Sequence, residues 1–323
     1  MSTGEMAEIS GRRCGVCAAV GPHRQLILME SMFETFEPFR YFECHDCGCI
    51  QIADIPTDLR RYYPPGYYSL APASHSGLQK RLKSAVLGYV GGEWSLLGAL
   101  AYALRLRPVD VPWMEAAAVT TSSRILDVGC GSGGRLVDLS QAGYRNLLGV
   151  DLFLESDLTY ESGLRIRKAE LGQIEGVFDL IMLHHSLEHM PDPRGAISAA
   201  SRLLAPGGMI LVRVPVTGKW AWRHYGTDWV QLDPPRHLYT FSEKGIAILA
   251  AGAGLEVDKV LYDSEAFQFE GSERILRLRA QRGDGALPAS TATGMSQAWM
   301  KRRARELNRA RDGDQACFFL VRR

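Results

Sequence analysis

The stretch ILDVGCGSGG at residues 125–134 decides which fold this chain can adopt. Gly129, Gly131 and Gly134 satisfy the G-x-G-x-x-G spacing that holds a dinucleotide pyrophosphate at a helix N-terminus. Asp127, however, lies two residues before the first glycine, and a carboxylate there would repel a pyrophosphate. The stretch therefore predicts a strand, a glycine-rich turn and a helix, and the residues around it must identify the ligand.

Short apolar runs alternate with helix-like segments from residue 124 onward, which is the pattern of a parallel α/β sheet. Segments RLVDLSQAG and PRGAISAASRLLAPGG end in glycine, as helix C-termini often do. We also expect a helix near 243–253, a mobile loop at 281–295 and a basic helix at 301–311. The predicted strands are RILDV, NLLGVDL, LRIRKA, FDLIML, MILVRVP, LEVDKVLYD and CFFLVR.

Composition divides the chain into three regions. Residues 1–75 are rich in Cys, Pro and aromatic residues, residues 76–120 look helical, and residues 121–323 carry the α/β pattern. A chain of 323 residues can bury one sizeable core and still carry an appended module. We therefore predict a zinc-ribbon-like N-terminal module, a helical connector and an α/β domain with an aromatic insertion at 216–241.

Charge and hydropathy exclude several classes of protein. With 37 basic and 36 acidic residues, the chain has no general attraction to nucleic acid or to an anionic membrane. The opening MSTGEMAEIS has no charged start followed by an apolar run, so we expect no secretory signal and a cytoplasmic location. The apolar run WSLLGALAYAL at 94–104 is too short to cross a bilayer, and we expect a buried helix, with a membrane-resting helix as the alternative.

Two C-x-x-C pairs, Cys14 with Cys17 and Cys44 with Cys47, lie 26 residues apart near the N-terminus. Two such turns together present four thiolates, which complete a closed tetrahedral zinc site of the structural kind. In a chain without an export signal, cysteines are expected as reduced thiols or metal ligands rather than disulfides. The alternative is four buried free cysteines that act as small apolar residues.

The acidic residues near the glycine loop favour S-adenosylmethionine over a dinucleotide. This cofactor carries an ammonium, a carboxylate, a sulfonium, a ribose and an adenine, but no phosphate. Asp127 suits the ammonium, and Asp151 at the end of NLLGVD is placed to accept the ribose hydroxyls. Dinucleotide enzymes share this ribose contact, so a nicotinamide enzyme remains an alternative at this stage.

Four motifs follow one another in order over residues 124–257: ILDVGCGSGG, LLGVDLF, FDLIMLHHSLEHMPDP and LLAPGGMILVRVP. Their combination resembles the class I S-adenosylmethionine-dependent methyltransferases. The N-terminal cysteines and DWVQLDPPRHLYTFS at 228–242 resemble a bacterial subgroup with a zinc-binding N-terminal segment, whose members often accompany polysaccharide, lipopolysaccharide or natural-product assembly. The resemblance implies a Rossmann-like, seven-stranded, mostly parallel sheet with helices on both faces, and CFFLVR is placed to be its antiparallel last strand.

The resemblance also implies contacts between this chain and the cofactor. The loop glycines would pass close to the methionine and ribose, and Leu152 would lie against the adenine. Glu170 would meet the adenine amino group, although the usual pattern has an Asp slightly earlier. Leu183 and His184, expected just past the fourth strand, would flank the methionine end. The expected cofactor-binding residues are Asp127, Gly129, Gly131, Gly133, Asp151, Leu152, Glu170, Leu183 and His184.

Three histidines are candidates for a catalytic base. The cofactor is an activated methyl donor, so the protein must supply alignment and, for a hydroxyl acceptor, a proton acceptor. Histidine titrates in the useful range. The segments HHSLEHM and PPRHL place His185, His189 and His237 as candidates, while positioning a loop or anchoring a lid is the alternative role.

The aromatic insertion suits stacking on sugar rings or planar acceptors, and a hydrophobic plug over the sheet edge is the alternative. Arg223 and Arg236 suit an anionic acceptor, or they pair with Asp228 and Asp233. The candidate acceptor-contacting residues are Glu188, Trp222, Arg223, Trp229, Arg236 and Tyr239.

The leading hypothesis is therefore a methyltransferase that uses S-adenosyl-L-methionine and structural Zn²⁺ and methylates an oxygen of a glycan, nucleotide-sugar or natural-product acceptor. One alternative is an RNA methyltransferase that uses the cysteine module and the basic helix, although the near-neutral charge disfavours nucleic acid. Another is a non-catalytic zinc-ribbon docking protein. Peripheral membrane contact stays open, and the sequence does not indicate an oligomeric state.

Overall fold

The fold is taken from a computed structural model, which describes residues 8–63, 77–106, 108, 110–283 and 295–323. The strands of this part are β1 (Glu8–Ile9), β2 (His23–Met29), β3 (Pro38–Glu43), β4 (Ile50–Ile52), β5 (Arg124–Val128), β6 (Asn146–Val150), β7 (Leu158–Thr159), β8 (Arg165–Arg167), β9 (Phe178–His184), β10 (Leu204–Pro215), β11 (Tyr239–Thr240), β12 (Leu255–Tyr262) and β13 (Gln315–Arg322). The α-helices are α1 (Gly77–Val90), α2 (Leu96–Ala103), α3 (Val111–Ala116), α4 (Gly134–Gln141), α5 (Pro193–Arg202), α6 (Trp220–Tyr225), α7 (Glu243–Gly252), α8 (Phe267–Gln281) and α9 (Gln297–Arg309).

The larger sheet has the order β12-β13-β10-β9-β5-β6-β8-β7 within the described ranges. Strands β10, β9, β5, β6 and β8 are parallel, and β13 runs antiparallel to both β10 and β12. The mostly parallel sheet and the antiparallel CFFLVR strand are therefore as expected. The expected strand number was one too low, because the two-residue β7 adds a short hairpin to β8.

Helices cover both faces of this sheet, as the alternating pattern predicts. Strand β9 is almost wholly buried, and its successive side chains point to opposite faces. Ile181 and Leu183 pack in a core that includes side chains of α5 and α7, whereas Leu180 and Met182 pack in a second core with side chains of α1, α3 and α4. The carboxyl ends of the parallel strands therefore open between two helical layers, where ligands of α/β folds bind.

The smaller sheet joins the N-terminal module to the aromatic insertion. Its order is β1-β2-β3-β4-β11, and β11 comes from residues 239–240 of the insertion. Tyr239 pairs with Gln51 and Thr240 with Ile50 in an antiparallel register. Residues 8–63 and 216–241 therefore share hydrogen bonds and one hydrophobic core, so the described part of the predicted module is not an independent layer.

The expectation of a buried helix at 94–104 was wrong. Helix α2 begins after the N-cap Ser95 and buries only its small residues Gly98 and Ala101. A Cβ on Gly98 would lie 2.2 Å from the carbonyl oxygen of Ala85, so small residues allow α2 to pack closely against α1. The large side chains face outward instead, and Trp94 and Leu96 are 86% and 72% exposed. None of the helices that the structure describes is long and apolar enough to span a bilayer.

The basic helix is confirmed as α9, and its burial explains its sequence. Met300, Ala304 and Leu307 pack against Phe269, while the arginines of the outer face pair with Glu306. This is the solvated basic face of an amphipathic helix. The loop expected at 281–295 falls mostly outside the described residues.

Candidate functional site: a glycine-loop crevice and a histidine cavity

The glycine loop connects β5 to α4 through residues that require glycine. Gly129 has φ +72°, and a Cβ at this position would lie 2.5 Å from the Cβ of Ser186. Gly133, the N-cap of α4, has φ +81° and would place a Cβ 2.5 Å from Cδ1 of Ile166. Both the left-handed backbone and the lack of space exclude larger side chains. Together with Gly131, these residues bring bare backbone to the carboxyl end of β5.

Asp151 follows β6 and is held by the backbone on both carboxylate oxygens. Its Oδ2 accepts a hydrogen bond from the Gly131 N–H at 2.8 Å, and its Oδ1 accepts one from the Phe153 N–H at 2.8 Å. A carboxylate has about four lone-pair positions, so two such bonds leave capacity for ligand hydroxyls. Asp151 is buried, while the adjacent Leu152 is half-exposed at the rim of the same turn. This arrangement suits a ribose.

Asp127 is the buried acid of the crevice. Its Oδ1 has no hydrogen-bond partner among the described residues. Burial raises the pKa of Asp127 to about 6, the charge of Arg135 opposes this rise, and the charge of Asp151 adds to it. A buried carboxylate with an unused oxygen is well matched to a cationic ligand such as an ammonium. The same group would oppose a pyrophosphate.

His184 and Leu183 form the end of β9 rather than the loop after it, which corrects their expected position. Leu183 is completely buried in the core. Neither ring nitrogen of His184 has a partner in the described part of the chain, and burial holds the pKa of His184 well below its usual range. The His184 ring is therefore neutral.

Trp113 and Arg135 are neighbours of His184 that the sequence analysis missed. The Trp113 ring meets His184 edge-on at a centroid distance of 4.9 Å, and the Arg135 guanidinium lies 5.7 Å from the Trp113 ring centre. Trp113 belongs to α3, in the segment interpreted as a connector. No local motif around Trp113 indicates this contact, because it depends on how α3 folds back onto the sheet.

Glu170 lies on the surface and caps a 3-10 helix at Leu171–Gln173. Its side chain accepts from the backbone N–H of Gln173, while the Glu170 N–H donates to Oε1 of Gln173 at 2.9 Å. This reciprocal pair is a capping box. The capping role accounts for the residue, and contact with the adenine stays a prediction.

His185 belongs to a chain of polar side chains at the ends of β9 and β10. Its Nε2 lies 2.7 Å from Nη1 of Arg213, whose Nε donates to Oδ2 of Asp263 at 2.6 Å. A guanidinium only donates, so Nε2 of His185 must accept and its Nδ1 must carry the proton. That proton points to Oε1 of Glu188 at 3.2 Å. The lone pair of His185 is thus already engaged, which argues against this histidine as the base.

Glu188 lies in the 3-10 helix Leu187–His189 and is completely buried. Burial acts to raise the pKa of Glu188, but the hydrogen bond from His185 and the charges of His185, His189 and His237 outweigh it and bring the pKa down to about 2. The carboxylate is therefore ionised. Its second oxygen, Oε2, has no hydrogen-bond partner among the residues described.

His189 and His237 meet although 47 residues separate them in the sequence. Their ring centres are 4.8 Å apart. Nδ1 of His189 lies 2.9 Å from the Arg236 carbonyl oxygen, and Nδ1 of His237 lies 2.7 Å from that of Gln231. A carbonyl only accepts, so each Nδ1 carries a proton and each Nε2 retains a lone pair. Burial also lowers the pKa of His189. The hydrogen bonds thus leave one Nε2 lone pair on each ring that can accept a proton.

A cavity of about 470 Å³ opens beside these histidines. Arg213 and three carboxylates lie on its wall, and its apolar lining includes Met32 and Phe267. The carboxylates are Asp233, Glu265 and Asp314. A cavity of this size holds a small organic molecule.

Arg236 does not face an acceptor, which corrects its predicted role. Its guanidinium is completely buried and donates to Glu30 at 2.8 Å and to Asp233 at 2.6 Å. Sequence analysis gave pairing with Asp228 and Asp233 as the alternative to contact with an acceptor. The pair with Asp233 is present, whereas Asp228 pairs with Arg279. Arg236 thus ties the insertion to the N-terminal module.

Most of the other residues predicted to contact the acceptor are also buried or paired within the chain. Trp229 is buried and donates from Nε1 to Asp314 at 2.9 Å. Trp222 and Tyr239 are likewise buried, and Arg223 lies at the surface in an ion pair with Asp312. The aromatic insertion therefore corresponds to the plug that was the alternative interpretation.

The four N-terminal cysteines converge as expected for a metal site. Their Sγ atoms all lie within 4.8 Å of one another, and the shortest separations are 3.5 Å for Cys17 with Cys44 and 3.7 Å for Cys14 with Cys47. All four are free thiols. The N–H groups of Val16 and Cys17 point at Sγ of Cys14, and such bonds stabilise a thiolate. This set of donors fits a four-thiolate zinc ion, and its occupancy stays a prediction.

Comparison with known proteins bears on the larger sheet. Residues 110–260 match the family model described as "Methyltransferase domain". The match includes the glycine loop, Asp151, the histidines at the end of β9 and His237, and it begins at α3.

Curated relatives match this chain over part of their length. A ubiquinone biosynthesis O-methyltransferase from Burkholderia ambifaria (strain MC40-6) is 34% identical over 117 residues, which are 32% of this chain and 50% of that protein. A protein of the same name from Pseudomonas aeruginosa (strain UCBPP-PA14) is 26% identical over 174 residues, which are 48% of this chain and 74% of that protein. The chain spans about half the length of such relatives from Burkholderia and Ralstonia.

Solved structures also resemble this chain. An S-adenosylmethionine-dependent methyltransferase from Mesorhizobium loti is 17% identical, with a TM-score of 0.43 over 67% of this chain and 98% of that one. The magnesium protoporphyrin IX methyltransferase of Synechocystis PCC 6803 with bound S-adenosylhomocysteine is 14% identical, with a TM-score of 0.41 over 79% of this chain and 91% of that one.

Proposed function

We propose that this protein transfers a methyl group from S-adenosyl-L-methionine to a hydroxyl group bound in the histidine cavity. The observation that carries the proposal is the buried Asp127, which has an unused oxygen at the end of β5, beside a turn of bare backbone. This carboxylate favours a cationic ligand and disfavours a phosphate. The ammonium of S-adenosylmethionine meets both conditions.

Each residue of the crevice then contacts a different part of the cofactor. Asp127 attracts the ammonium, Asp151 accepts the ribose hydroxyls, and Leu152 covers the adenine. His184 is neutral and adds no positive charge next to the sulfonium. The sulfonium supplies an activated methyl group, so the remaining task of the protein is to align an acceptor and take up its proton.

His189 and His237 are the proposed proton acceptors, because each retains an Nε2 lone pair. His185 instead positions Glu188 and Arg213, since both of its nitrogens are engaged. The negative charge of Glu188 acts to raise the pKa of His189, against the larger lowering by burial. Proton transfer to a positioned histidine typically accelerates such a step by about 10²–10⁴-fold.

The acceptor that the cavity suits best is a small, uncharged, hydroxylated molecule such as a sugar or a phenolic natural product. Arg213, Arg223 and Arg236 are all paired, and acids on the cavity wall oppose a phosphate. These features disfavour RNA and a nucleotide-linked sugar. The relatives named as O-methyltransferases support oxygen as the methylated atom.

Calorimetry with S-adenosylhomocysteine and with NAD tests the cofactor. We expect binding of the first and none of the second, and Asp151→Ala should abolish binding while circular dichroism stays unchanged. Binding of NAD, or unchanged affinity of the variant, would contradict the proposal. Turnover with a panel of hydroxylated acceptors then separates an enzyme from a docking protein, which would bind the cofactor without releasing S-adenosylhomocysteine.

We also propose that Cys14, Cys17, Cys44 and Cys47 hold one structural zinc ion. The site would brace the smaller sheet, because the Cys47 carbonyl oxygen accepts from the Ser242 hydroxyl at the start of α7. Elemental analysis of gently purified protein should find one tightly held zinc per chain with four sulfur ligands by X-ray absorption. Cys14→Ser should lose it, and Cys49→Ser, which changes a buried cysteine outside the set, should not.

The exposed face of α2 supports the further proposal of peripheral contact with an anionic membrane. Trp94, Leu97, Leu100 and Leu104, which lie in or next to α2, are exposed, as is Arg105. The exposed Arg81 of α1 lines the same surface pocket as Leu97. Apolar and basic residues on one face are typical of interfacial helices. Wild type should float with phosphatidylglycerol vesicles and the double variant Leu97→Ser with Leu100→Ser should not, whereas Val177→Ser serves as an exposed control. Failure of the wild type to float would refute this contact.

A further inference from the structure

We propose that Glu188, His189 and His237 form a second metal site, built from one carboxylate and two imidazoles, that takes a first-row divalent cation. This site is separate from the cysteine cluster, lies at the histidine cavity and uses no sulfur ligand. Binding of the ion does not depend on the proposed methyl transfer.

The three ligand groups already lie close together. One ligand atom from each residue is within 4.8 Å of the other two. Bonds of about 2.0–2.1 Å to zinc place tetrahedral ligands about 3.3 Å apart, so closure needs a contraction of at most about 1.5 Å. The backbone supports this approach, because the Leu238 N–H donates to the Glu188 carbonyl oxygen at 2.8 Å and fixes the two segments side by side.

Both imidazoles are oriented as metal ligands usually are. Metal-binding histidines donate their other ring N–H to a carbonyl or carboxylate, which sets the tautomer and the ring direction. His189 does so to the Arg236 carbonyl and His237 to the Gln231 carbonyl. Two adjacent rings that share this arrangement each have an Nε2 lone pair free for a cation.

Glu188 supplies the charge that the site requires. It is completely buried and carries an oxygen, Oε2, with no partner in the described part of the chain. A buried carboxyl oxygen without a hydrogen-bond partner is costly unless a ligand such as a cation compensates it. Its other oxygen is held by His185, so that histidine acts as the outer partner that orients the carboxylate.

The wider surroundings also favour a cation. Asp233, Glu265 and Asp314 line the adjoining cavity. With Asp263 and Glu30 they outnumber the two nearby arginines, because Arg213 pairs with Asp263 and Arg236 with Glu30 and Asp233. Three protein ligands leave coordination positions open toward the cavity, as in catalytic rather than structural sites. In the metal-bound form the Nε2 lone pairs of His189 and His237 would be engaged by the ion, so these rings could take an acceptor proton only in the metal-free form. With the ion bound, and if the proposed methyl transfer is correct, the ion would instead lower the pKa of an acceptor hydroxyl in an open position, and the proton would pass to water.

The test uses the full chain with the cysteine site first filled by zinc, followed by titration with Co²⁺. We expect one further Co²⁺ per chain, with visible ligand-field bands and no thiolate-to-cobalt charge-transfer band. His189→Gln and His237→Gln should each weaken this binding by at least about 10-fold, since loss of even an outer-shell partner costs 10–100-fold. His224→Gln, which removes a histidine stacked on Trp220 outside the cluster, is the matched control.

Three results would overturn the site: no further cobalt bound by the zinc-loaded wild type, undiminished binding in both variants, or a thiolate band from the added cobalt. Nitrogen hyperfine couplings in the wild-type cobalt spectrum provide a readout that needs no variant. Calorimetry with S-adenosylhomocysteine on the same samples checks folding. It also separates the two proposals, because failure of cofactor binding would count against the proposed function and not against the metal site.

Discussion

The glycine-loop crevice and the histidine cavity are neighbours that are built in opposite ways. The crevice is assembled mainly from residues 127–151. It consists of glycine backbone and the acid Asp127, whose Oδ1 has no hydrogen-bond partner among the described residues. The cavity draws on positions as distant as Met32 and Gln315, and most of its polar groups are engaged by other side chains. The crevice therefore depends on local backbone conformation and on charge, whereas the cavity depends on long-range ion pairs.

The largest effect is expected at the ion pairs that close the cavity. Arg236→Met would leave Glu30 and Asp233 without their shared cation, and breaking a buried pair in this way costs about 3–5 kcal/mol. Urea unfolding should show this loss. Arg223→Met breaks the exposed pair with Asp312 and should cost less than about 1 kcal/mol. Equal losses of unfolding free energy in the two variants would show that the cavity does not depend on the long-range ion pairs.

The next effect is expected in the crevice. Gly129→Ala would place a Cβ 2.5 Å from Ser186, and we expect affinity for S-adenosylhomocysteine to fall by about 100-fold, or about 2.7 kcal/mol. Gly163→Ala is the control, because φ is +83° there as well but nothing lies within 4 Å of the added atom. If both variants bind equally in calorimetry, the close approach at Gly129 does not shape the crevice.

A smaller effect on cofactor affinity is expected when the pH is lowered and Asp127 becomes protonated. With its pKa at about 6, this acid is mostly ionised at pH 7 and mostly protonated at pH 5. Since only the ionised form attracts an ammonium, affinity for S-adenosylhomocysteine should fall by about 10-fold between these pH values. Asp127→Asn should bind weakly and nearly independently of pH. A wild-type affinity that rises toward pH 5 would show that Asp127 does not meet the ammonium.

The smallest effect is expected at His185. Because Arg213 engages its Nε2, His185→Gln should retain turnover within about 10-fold and keep the acidic limb of the pH–rate profile. His237→Gln should lose about 10²–10⁴-fold if this ring takes the proton. If only the His185 variant lost the acidic limb, His185 would be the proton acceptor and His237 the positioning residue.

Some errors of the sequence analysis share a physical cause. WSLLGALAYAL was expected to be buried because it is apolar, yet α2 packs through Gly98 and Ala101 and leaves its leucines outside. Arg236 was expected to meet an acceptor because it is cationic, yet Glu30, 206 residues away, binds it. In both cases composition indicates what a side chain can do, and only the neighbouring elements decide what it contacts.

The sequence by itself determined the parts that depend on local conformation. Alternating apolar runs predicted the strands, glycine at 129–133 predicted the turn, and two C-x-x-C pairs predicted the cysteine cluster. Tertiary structure alone decided that β11 completes the N-terminal sheet, that Trp113 meets His184, and that His237 lies beside Glu188 and His189. The reason is that dihedral angles and periodicity are properties of adjacent residues, whereas these contacts form between segments that only the packed core brings together.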